Sequence, residues 1–317
     1  MPLTTRDRTR GALIGLATGD ALGTTVEFRR PGSFEPMTDI VGGGPFGLKQ
    51  GQWTDDTSMA LCLAESLVER RGFDPLDQMQ RYLRWREEGH MSSTGTCFDI
   101  GGATSTALNH FKQTGESFSG SKHPSSAGNG SLMRLAPIPM AFHADPAEAI
   151  RLAGESSRTT HGAATCVDAC RYYAGLIVGA INGVSKDELL APSYSPLPGL
   201  WERSPLAPEV AEVAAGSFLR REPPQISGSG YVVSTLEAAL WAFARTSSFE
   251  EGALKVVNLG DDADSTGAVY GQLAGAFYGE SGIPRRWREM LAMWDVIDEL
   301  ADRLDEFAHR SAADSTS

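Results

Sequence analysis

The sequence predicts an all-α fold, an orthogonal helical bundle in a single domain, and three observations carry that prediction. Apolar residues recur with helical spacing in most periodic segments. Strand alternation is weak throughout, with no long hairpin signal and no β-α-β rhythm, which disfavours a doubly wound sheet. Glycines recur at every fourth position in three stretches, each marking one stripe of a helix: Gly11, Gly15, Gly19 and Gly23, then Gly175, Gly179 and Gly183, then Gly267, Gly271, Gly275 and Gly279.

In chain order, the first glycine stripe is followed by TSMALCLAESLVERRG, an amphipathic helical pattern. Asp74 and Pro75 then read as an N-cap and a first-turn proline, opening a helix that Gly89 closes and whose turns are marked by Leu76, Met79, Leu83 and Arg86. Helical patterns return in PAEAIRLAGESS, in TCVDACRYYAGLIVGAING and in TLEAALWAFART, and one long pattern runs through RRWREMLAMWDVIDELADRLDEFAHR. Between them, residues 192–224 hold seven of the 17 prolines and read as a surface excursion. A chain of 317 residues can bury a sizeable core in one large helical domain. We place that domain in residues 1–309 and read 310–317 as a disordered tail.

Composition narrows the function. With 41% hydrophobic and 21% charged residues the chain reads as soluble and globular, and no stretch approaches the roughly 20 apolar residues that span a bilayer. MPLTTRDRTR is followed by GALIGLATGDALG, whose Asp20 and small residues do not suit a signal peptide, so a cytoplasmic protein is expected. Lysine and arginine number 28 against 40 acidic residues, a net charge of −12, which leaves no basic face for a nucleic-acid footprint. Cys62, Cys97, Cys166 and Cys170 are too sparse for a disulfide framework. Cys166 and Cys170, one helical turn apart, lack two further zinc ligands nearby, so all four read as buried thiols.

Glycine is over-used, at 35 residues. A mid-helix glycine costs roughly 0.5–1 kcal/mol relative to alanine, so the eleven striped glycines cost on the order of 6–11 kcal/mol. Close approach of one helix to another would offset that cost, although Gly23 and Gly279 also fit helix ends.

Clusters of carboxylates and hydroxyls stand where apolar helices begin. Thr54, Asp55, Asp56 and Thr57 open one helix, and Asp261, Asp262, Asp264, Ser265 and Thr266 open another, with Asp56 and Asp264 expected at a solvent-reachable helix mouth. Capping explains one such aspartate. It does not explain five, because adjacent carboxylates repel unless a cation or protons neutralise them. Oxygen ligands without histidine or cysteine suit Mg²⁺, Mn²⁺ or Ca²⁺, and two clusters suggest two ions. Gly128, Asn129, Gly130 and Ser131 form a glycine-bracketed loop that either cradles a phosphate or is an ordinary turn. Tyr231 could stack on a base or pack in the core, His161 reads as structural by itself, and Asp99 reads as an N-cap unless it serves the site.

Together, in this order, GDALGTTVE, GQWTDDTSM, STGTCFDIGG, AGNGSLMR, the pair Thr160–His161, SGYVVSTLEAALWAF and NLGDDADSTGAVYGQLAGA resemble the ADP-ribosylglycohydrolase family, in particular its bacterial branch similar to the dinitrogenase-reductase-activating glycohydrolase. The resemblance implies an all-helical fold around a central cleft with two divalent ions, Mg²⁺ or Mn²⁺, and release of ADP-ribose from modified side chains. It assigns Thr54, Asp55, Asp56 and Asp264 to one ion and Asp262, Asp264 and Ser265 to the other, with Asp264 bridging. The family usually has threonine at the position of Ser265, and Thr266 offers a neighbouring hydroxyl. The resemblance makes Glu27 a metal-side glutamate, Asp99 an aspartate near the reacting ribose, the loop 128–131 the diphosphate contact, Tyr231 an adenine-stacking ring and His161 a pocket residue. Asp56, Glu27 and Asp99 are thus the candidate catalytic carboxylates, and either Glu27 or Asp99 directs the attacking water.

The implied partner is an ADP-ribosylated protein or small-molecule acceptor, with ADP-ribose as product and an arginine N-glycosidic linkage favoured. ADP-ribose is a dianion, so a chain this acidic needs local cations and N–H donors to hold it. The alternatives are serine O-linked ADP-ribose, two-metal phosphohydrolysis, and a non-catalytic ADP-ribose-binding role.

Overall fold

The computed structural model describes residues 3–314. Its regular structure is fifteen α-helices and four short 3-10 turns, and the described residues contain no strand, only three isolated bridges. In chain order the helices are α1 (Thr5–Gly23), α2 (Asp55–Arg70), α3 (Pro75–Glu88), α4 (Gly102–Thr114) and α5 (Pro137–Phe142). Next come α6 (Pro146–Arg158), α7 (Ala164–Ile181), α8 (Lys186–Leu189), α9 (Leu200–Arg203) and α10 (Pro208–Ala214). The chain closes with α11 (Val232–Arg245), α12 (Phe249–Val257), α13 (Ala263–Tyr278), α14 (Arg285–Arg288) and α15 (Trp294–Asp314). Among the described residues no helix is long and apolar enough to cross a membrane.

Two helices form the axis. Helix α1 is buried from Thr9 to Gly23 and α13 from Ala263 to Ala276, so each is enclosed by protein on every side. They run antiparallel, with Gly11, Gly15 and Gly19 facing Gly275, Gly271 and Gly267. A Cβ on any of these glycines would lie under 3.0 Å from the carbonyl oxygen of its opposite number, and one on Gly23 would meet the Ala263 carbonyl in the same way. Backbone therefore packs on backbone, where dispersion and Cα–H···O contacts offset the poor helix propensity of glycine. Gly23 ends α1 and is also required by this approach, whereas Gly279 lies past α13 with φ +74°, against Asp7. The stripe on α7 departs from expectation. Gly175 and Gly179 accommodate side chains of Pro196, Leu189 and Tyr194, and Gly183, with φ +81°, follows the helix end.

Three further expectations need correction. The buried face of α3 runs through Gln78, Met79, Tyr82 and Trp85 while Leu76 is exposed, although Asp74 caps it as read, accepting from the Leu76 and Asp77 amides at 3.0 and 3.1 Å. The long pattern from Arg285 is two helices. Between them the Ala292 amide donates to the Gly51 carbonyl at 2.8 Å, the Trp53 indole donates to the Ala292 carbonyl at 3.0 Å, and Met293 takes φ +54°. That break fastens the segment before α2. The proline-rich stretch is only partly a surface excursion, because α10 and the turn after it bury Val210, Val213 and Phe218 in the core. Cys62, Cys166 and Cys170 are buried and Cys97 is half-buried, all as free thiols. Helix α15 extends through Asp314, and the rest of the expected tail, 315–317, lies outside the described residues.

The glycine contact is testable by stability. Gly271→Ala should destabilise by roughly 1–3 kcal/mol in urea unfolding, since the new methyl meets backbone that cannot rotate away. Gly175→Ala, whose nearest neighbour is a Pro196 side-chain atom at 3.3 Å, should cost less. A more stable Gly271→Ala variant, as helix propensity alone would give, contradicts the packing.

Candidate functional site

The antiparallel axis decides what meets at the site: the C-terminal end of α1 lies beside the start of α13. Asp20 and Glu27 come from the first, and Asp262, Asp264 and Ser265 from the second. Helix α2 is then docked by Asp20. One Asp20 oxygen accepts from the Thr54 amide at 2.9 Å and hydroxyl at 3.0 Å, and the other accepts from the Thr57 amide at 3.0 Å and hydroxyl at 2.6 Å. Asp20 thus supplies from another helix the acceptors that α2 lacks, since Thr54 makes no capping bond. Glu27 is held against α13 by its neighbour: the Phe28 amide donates to Asp261 O at 2.6 Å and the Asp261 amide to Arg29 O at 2.8 Å.

Capping does not account for the acidic clusters. Asp262 stands at the N-cap of α13 without a side-chain capping bond, and α4 is preceded by Gly101 in that position, so Asp99 is not its cap. Asp99 instead takes φ +59° and points to the carboxylates. Oxygens of Asp20, Asp56 and Asp264 lie within 4.8 Å of one another, as do oxygens of Glu27, Asp99 and Asp264, so Asp264 belongs to both groups. The Thr54 hydroxyl donates to Asp264 and the Ser265 hydroxyl to Asp56, each at 3.1 Å. The Thr266 hydroxyl donates back to the Asp262 carbonyl at 2.6 Å. Asp56 and Asp264 are more deeply placed than a solvent-reachable mouth implies, at 0% and 1% exposure.

So many acids in one place raise one another's pKa. Burial first, then neighbouring carboxylates, push Asp55, Asp56 and Asp264 well above the usual range, and push Glu27 to about 11 and Asp99 to about 7. Asp20, despite its four donors, is pushed by burial to about 6, and burial raises Asp262 as well. Among the described residues no lysine or arginine makes an ion pair with any of them. One oxygen each of Glu27, Asp56 and Asp264 is buried without a hydrogen-bond partner. Buried polar atoms are rarely left so. Orphaned carboxylate oxygens converging without histidine or cysteine are a donor set for a hard divalent cation, and these acidic clusters fit one.

Beside the carboxylates stands the glycine loop. The Asn129 side chain donates to Asp262 at 2.6 Å and to the Thr235 hydroxyl at 2.9 Å. The Asn129 amide bonds the Gly230 carbonyl at 3.0 Å and the Val232 amide bonds the Ala127 carbonyl at 3.1 Å, so this is a paired loop and not a free turn. Among the described residues the Gly130 and Ser131 amides find no acceptor. Tyr231, 40% exposed next to Gly128, is on the surface of this loop, not in the core. The His161 ring closes on Gly130, where a Cβ would sit 2.7 Å from it, and bonds the Thr160 hydroxyl at 2.8 Å through Nδ1. Burial, then the nearby Arg134 charge, pulls His161 down to about 3, so the ring is neutral.

The sequence analysis assigns neither Asp20 nor Arg134 a place in the site. Arg134 is fully buried, donates to Gly130 O at 2.9 Å and the Thr160 hydroxyl at 2.7 Å, and lies over the Tyr82 ring at 4.7 Å. Each is a single charge inside an apolar or glycine run, and that isolation is the signal that could have found it.

Fold and site define an all-helical protein whose converging carboxylates could hold a hard cation, beside a glycine loop with unpaired amides. The chain belongs to the ADP-ribosylglycohydrolase family, whose model matches residues 1–313. It is 45% identical, over 94% of its length and 78% of the relative's, to the ADP-ribosylarginine hydrolase Tri1 of Pseudomonas putida (strain GB-1). It is 31% identical to the ADP-ribosyl-[dinitrogen reductase] glycohydrolase of Rhodospirillum rubrum over 90% of this chain and 91% of that one. A solved structure described as an ADP-ribosylglycohydrolase-related protein complex matches with a TM-score of 0.85 at 45% identity, covering 96% of this chain and 99% of that one.

The raised pKa values make stability depend on pH and metal together. A carboxyl whose folded pKa lies above its unfolded value of about 4 binds more protons folded than unfolded, so stability falls as pH rises from about 4 towards and beyond 7. In EDTA the melting temperature should therefore be lower at pH 8 than at pH 5, and added Mn²⁺ should raise it more at pH 8. Equal metal shifts at both pH values would contradict this electrostatic account.

Proposed function

We propose that this protein removes ADP-ribose from arginine side chains by hydrolysing the N-glycosidic bond, using two divalent ions, Mg²⁺ or Mn²⁺. The observation that carries the reading is the meeting of two carboxylate groups at Asp264, each with orphaned oxygens, beside a loop with free amides. Relatives named as ADP-ribosylarginine hydrolases, 45% and 40% identical, support the choice of arginine.

Thr54, Asp55, Asp56 and Asp264 would hold one ion, and Asp262, Asp264 and Ser265 the other. When bound, such ions neutralise the carboxylates, orient ribose hydroxyls and lower the pKa of water. The amides of Gly130 and Ser131 suit the diphosphate, with Gly128 and Asn129 setting the loop. Exposed Tyr231 would stack on adenine, and neutral His161 would wall the loop at Gly130. Breaking the bond from ribose C1 to the guanidine nitrogen gives an oxocarbenium-like state that the surrounding carboxylates stabilise. Glu27 or Asp99 would take the proton of the water that adds to C1, and that proton is passed on to the departing guanidine nitrogen, so that water is divided between the two products. Free ADP-ribose and an unmodified arginine side chain are the products.

The substrate is a modified protein or a small-molecule acceptor, and a net charge of −12 argues against nucleic acid as partner. Four free thiols agree with work in the reducing cytoplasm.

Incubation with arginine-linked and serine-linked ADP-ribosyl protein, in Mg²⁺ or EDTA, with products identified by mass, tests the reading. Free ADP-ribose from the arginine substrate in Mg²⁺ alone is expected. AMP would indicate phosphohydrolysis, preference for the serine substrate would change the acceptor, and binding without product would leave a reader. Asp56→Asn and Asp264→Asn should each lower kcat by at least about 100-fold while circular dichroism stays native. Full activity in either contradicts the metal assignment.

A further inference from the structure

Three phenylalanines stand at the carboxylate end of this site and belong to no part of the core. Phe28 follows Glu27 and Phe98 precedes Asp99 in sequence, and Phe46 bridges them, its ring 6.3 Å from Phe28 and 5.2 Å from Phe98. Phe28 is 64% exposed, and none of the three packs against the buried hydrophobic cluster. The fold nevertheless builds their positions. Phe46 sits at the tip of a hairpin closed by the Gly43 and Leu48 amides donating to each other's carbonyls at 2.7 and 2.8 Å. That hairpin is fastened next to Glu27 by the Thr25 hydroxyl, which donates to Gly42 O at 3.0 Å. Gly44, with φ +68°, lies so close to the Thr24 carbonyl that no side chain fits there. Phe28 itself takes φ +60°, a conformation a bulky residue rarely adopts, and Asp99 beside Phe98 takes φ +59°. Strained backbone and a pinned glycine hairpin hold one exposed and two half-buried rings outside the core.

We propose that Phe28, Phe46 and Phe98 form an aromatic collar that receives the guanidinium of the acceptor arginine and so sets the preference for arginine over neutral acceptors. This rests on the arginine reading above and deepens it. The direction of the substrate supports it: the loop amides and Tyr231 sit beyond Asp262, to which Asn129 is bonded, whereas the rings are carried by the residues flanking Glu27 and Asp99. With the diphosphate on the loop and the ribose at the carboxylates, the leaving group falls on the ring side. Ring faces attract a planar cation, the most so where water is partly excluded. Arg29, the nearest cationic neighbour in sequence, turns away to donate to the Ser33 carbonyl at 3.4 Å. A serine acceptor offers the collar no charge.

The test compares full-length wild type with Phe46→Leu, Phe98→Leu and Phe46→Trp on peptides carrying ADP-ribose on arginine or on serine. The leucine variants should lose roughly three- to thirty-fold in the ratio of kcat/KM for arginine over serine, and Phe46→Trp should keep it. Affinity for ADP-ribose alone should move by less than about twofold. A ratio unchanged in both leucine variants, or a loss matched by equal loss of ADP-ribose affinity, overturns the collar. If wild type cleaves neither peptide, the hydrolase reading fails, and agmatine binding by calorimetry in saturating ADP-ribose decides the collar. Binding that weakens in Phe46→Leu supports it, and binding that is absent or unchanged overturns it.

Discussion

The contact between α1 and α13 is the constraint on which the rest depends. Gly11, Gly15 and Gly19 against Gly275, Gly271 and Gly267 let two helices approach until carbonyl oxygens touch α-carbons, and no other residue type fits. Because the helices run antiparallel, that contact also fixes register. The end of α1 must lie beside the start of α13, so Asp20 and Glu27 meet Asp262 and Asp264 although more than two hundred residues separate them. Asp20 then draws in α2 through Thr54 and Thr57, which delivers Asp55 and Asp56. The ends of three helices become one site through a single packing decision.

Bringing those acids together is costly for the fold by itself. All but the half-buried Asp262 are buried, neighbouring carboxylates raise one another's pKa, and three oxygens lack partners. Protons relieve the repulsion at low pH and divalent cations would relieve it at neutral pH, so the same residues couple folding to ligand chemistry. A protein of net charge −12 must create attraction for a dianion locally, and cations over the carboxylates together with amides of the adjoining loop would do so.

Much of this was legible in the sequence, for physical reasons. Every-fourth glycines made the two axial helices visible, because only close approach or a helix end tolerates such residues, yet the α7 stripe shows that the same spacing also arises where side chains pack in. The acidic clusters were readable because capping needs one aspartate and not several. Asp20 shows locally only as a lone charge in a run of small residues, because its role is to serve another helix, and Arg134 only as a lone charge in an apolar run, because a buried cation held by carbonyl, hydroxyl and ring leaves no charge pair to notice. The break before α15 was hidden for a similar reason. It is made by bonds from Ala292 to Gly51 and from Trp53 to Ala292, while the local periodicity runs on unbroken. Tyr231 by itself reads first as a core residue, and its pairing with Gly128 places it outside.

The central claim is that two acidic segments far apart in the chain share divalent cations. Anomalous diffraction from a crystal grown in Mn²⁺ measures this most directly. The account requires manganese peaks within bonding distance of Asp56 and Asp264, with Asp264 touching both if two are present. Ordered Asp56 and Asp264 side chains with no peak between them at saturating Mn²⁺ would contradict it.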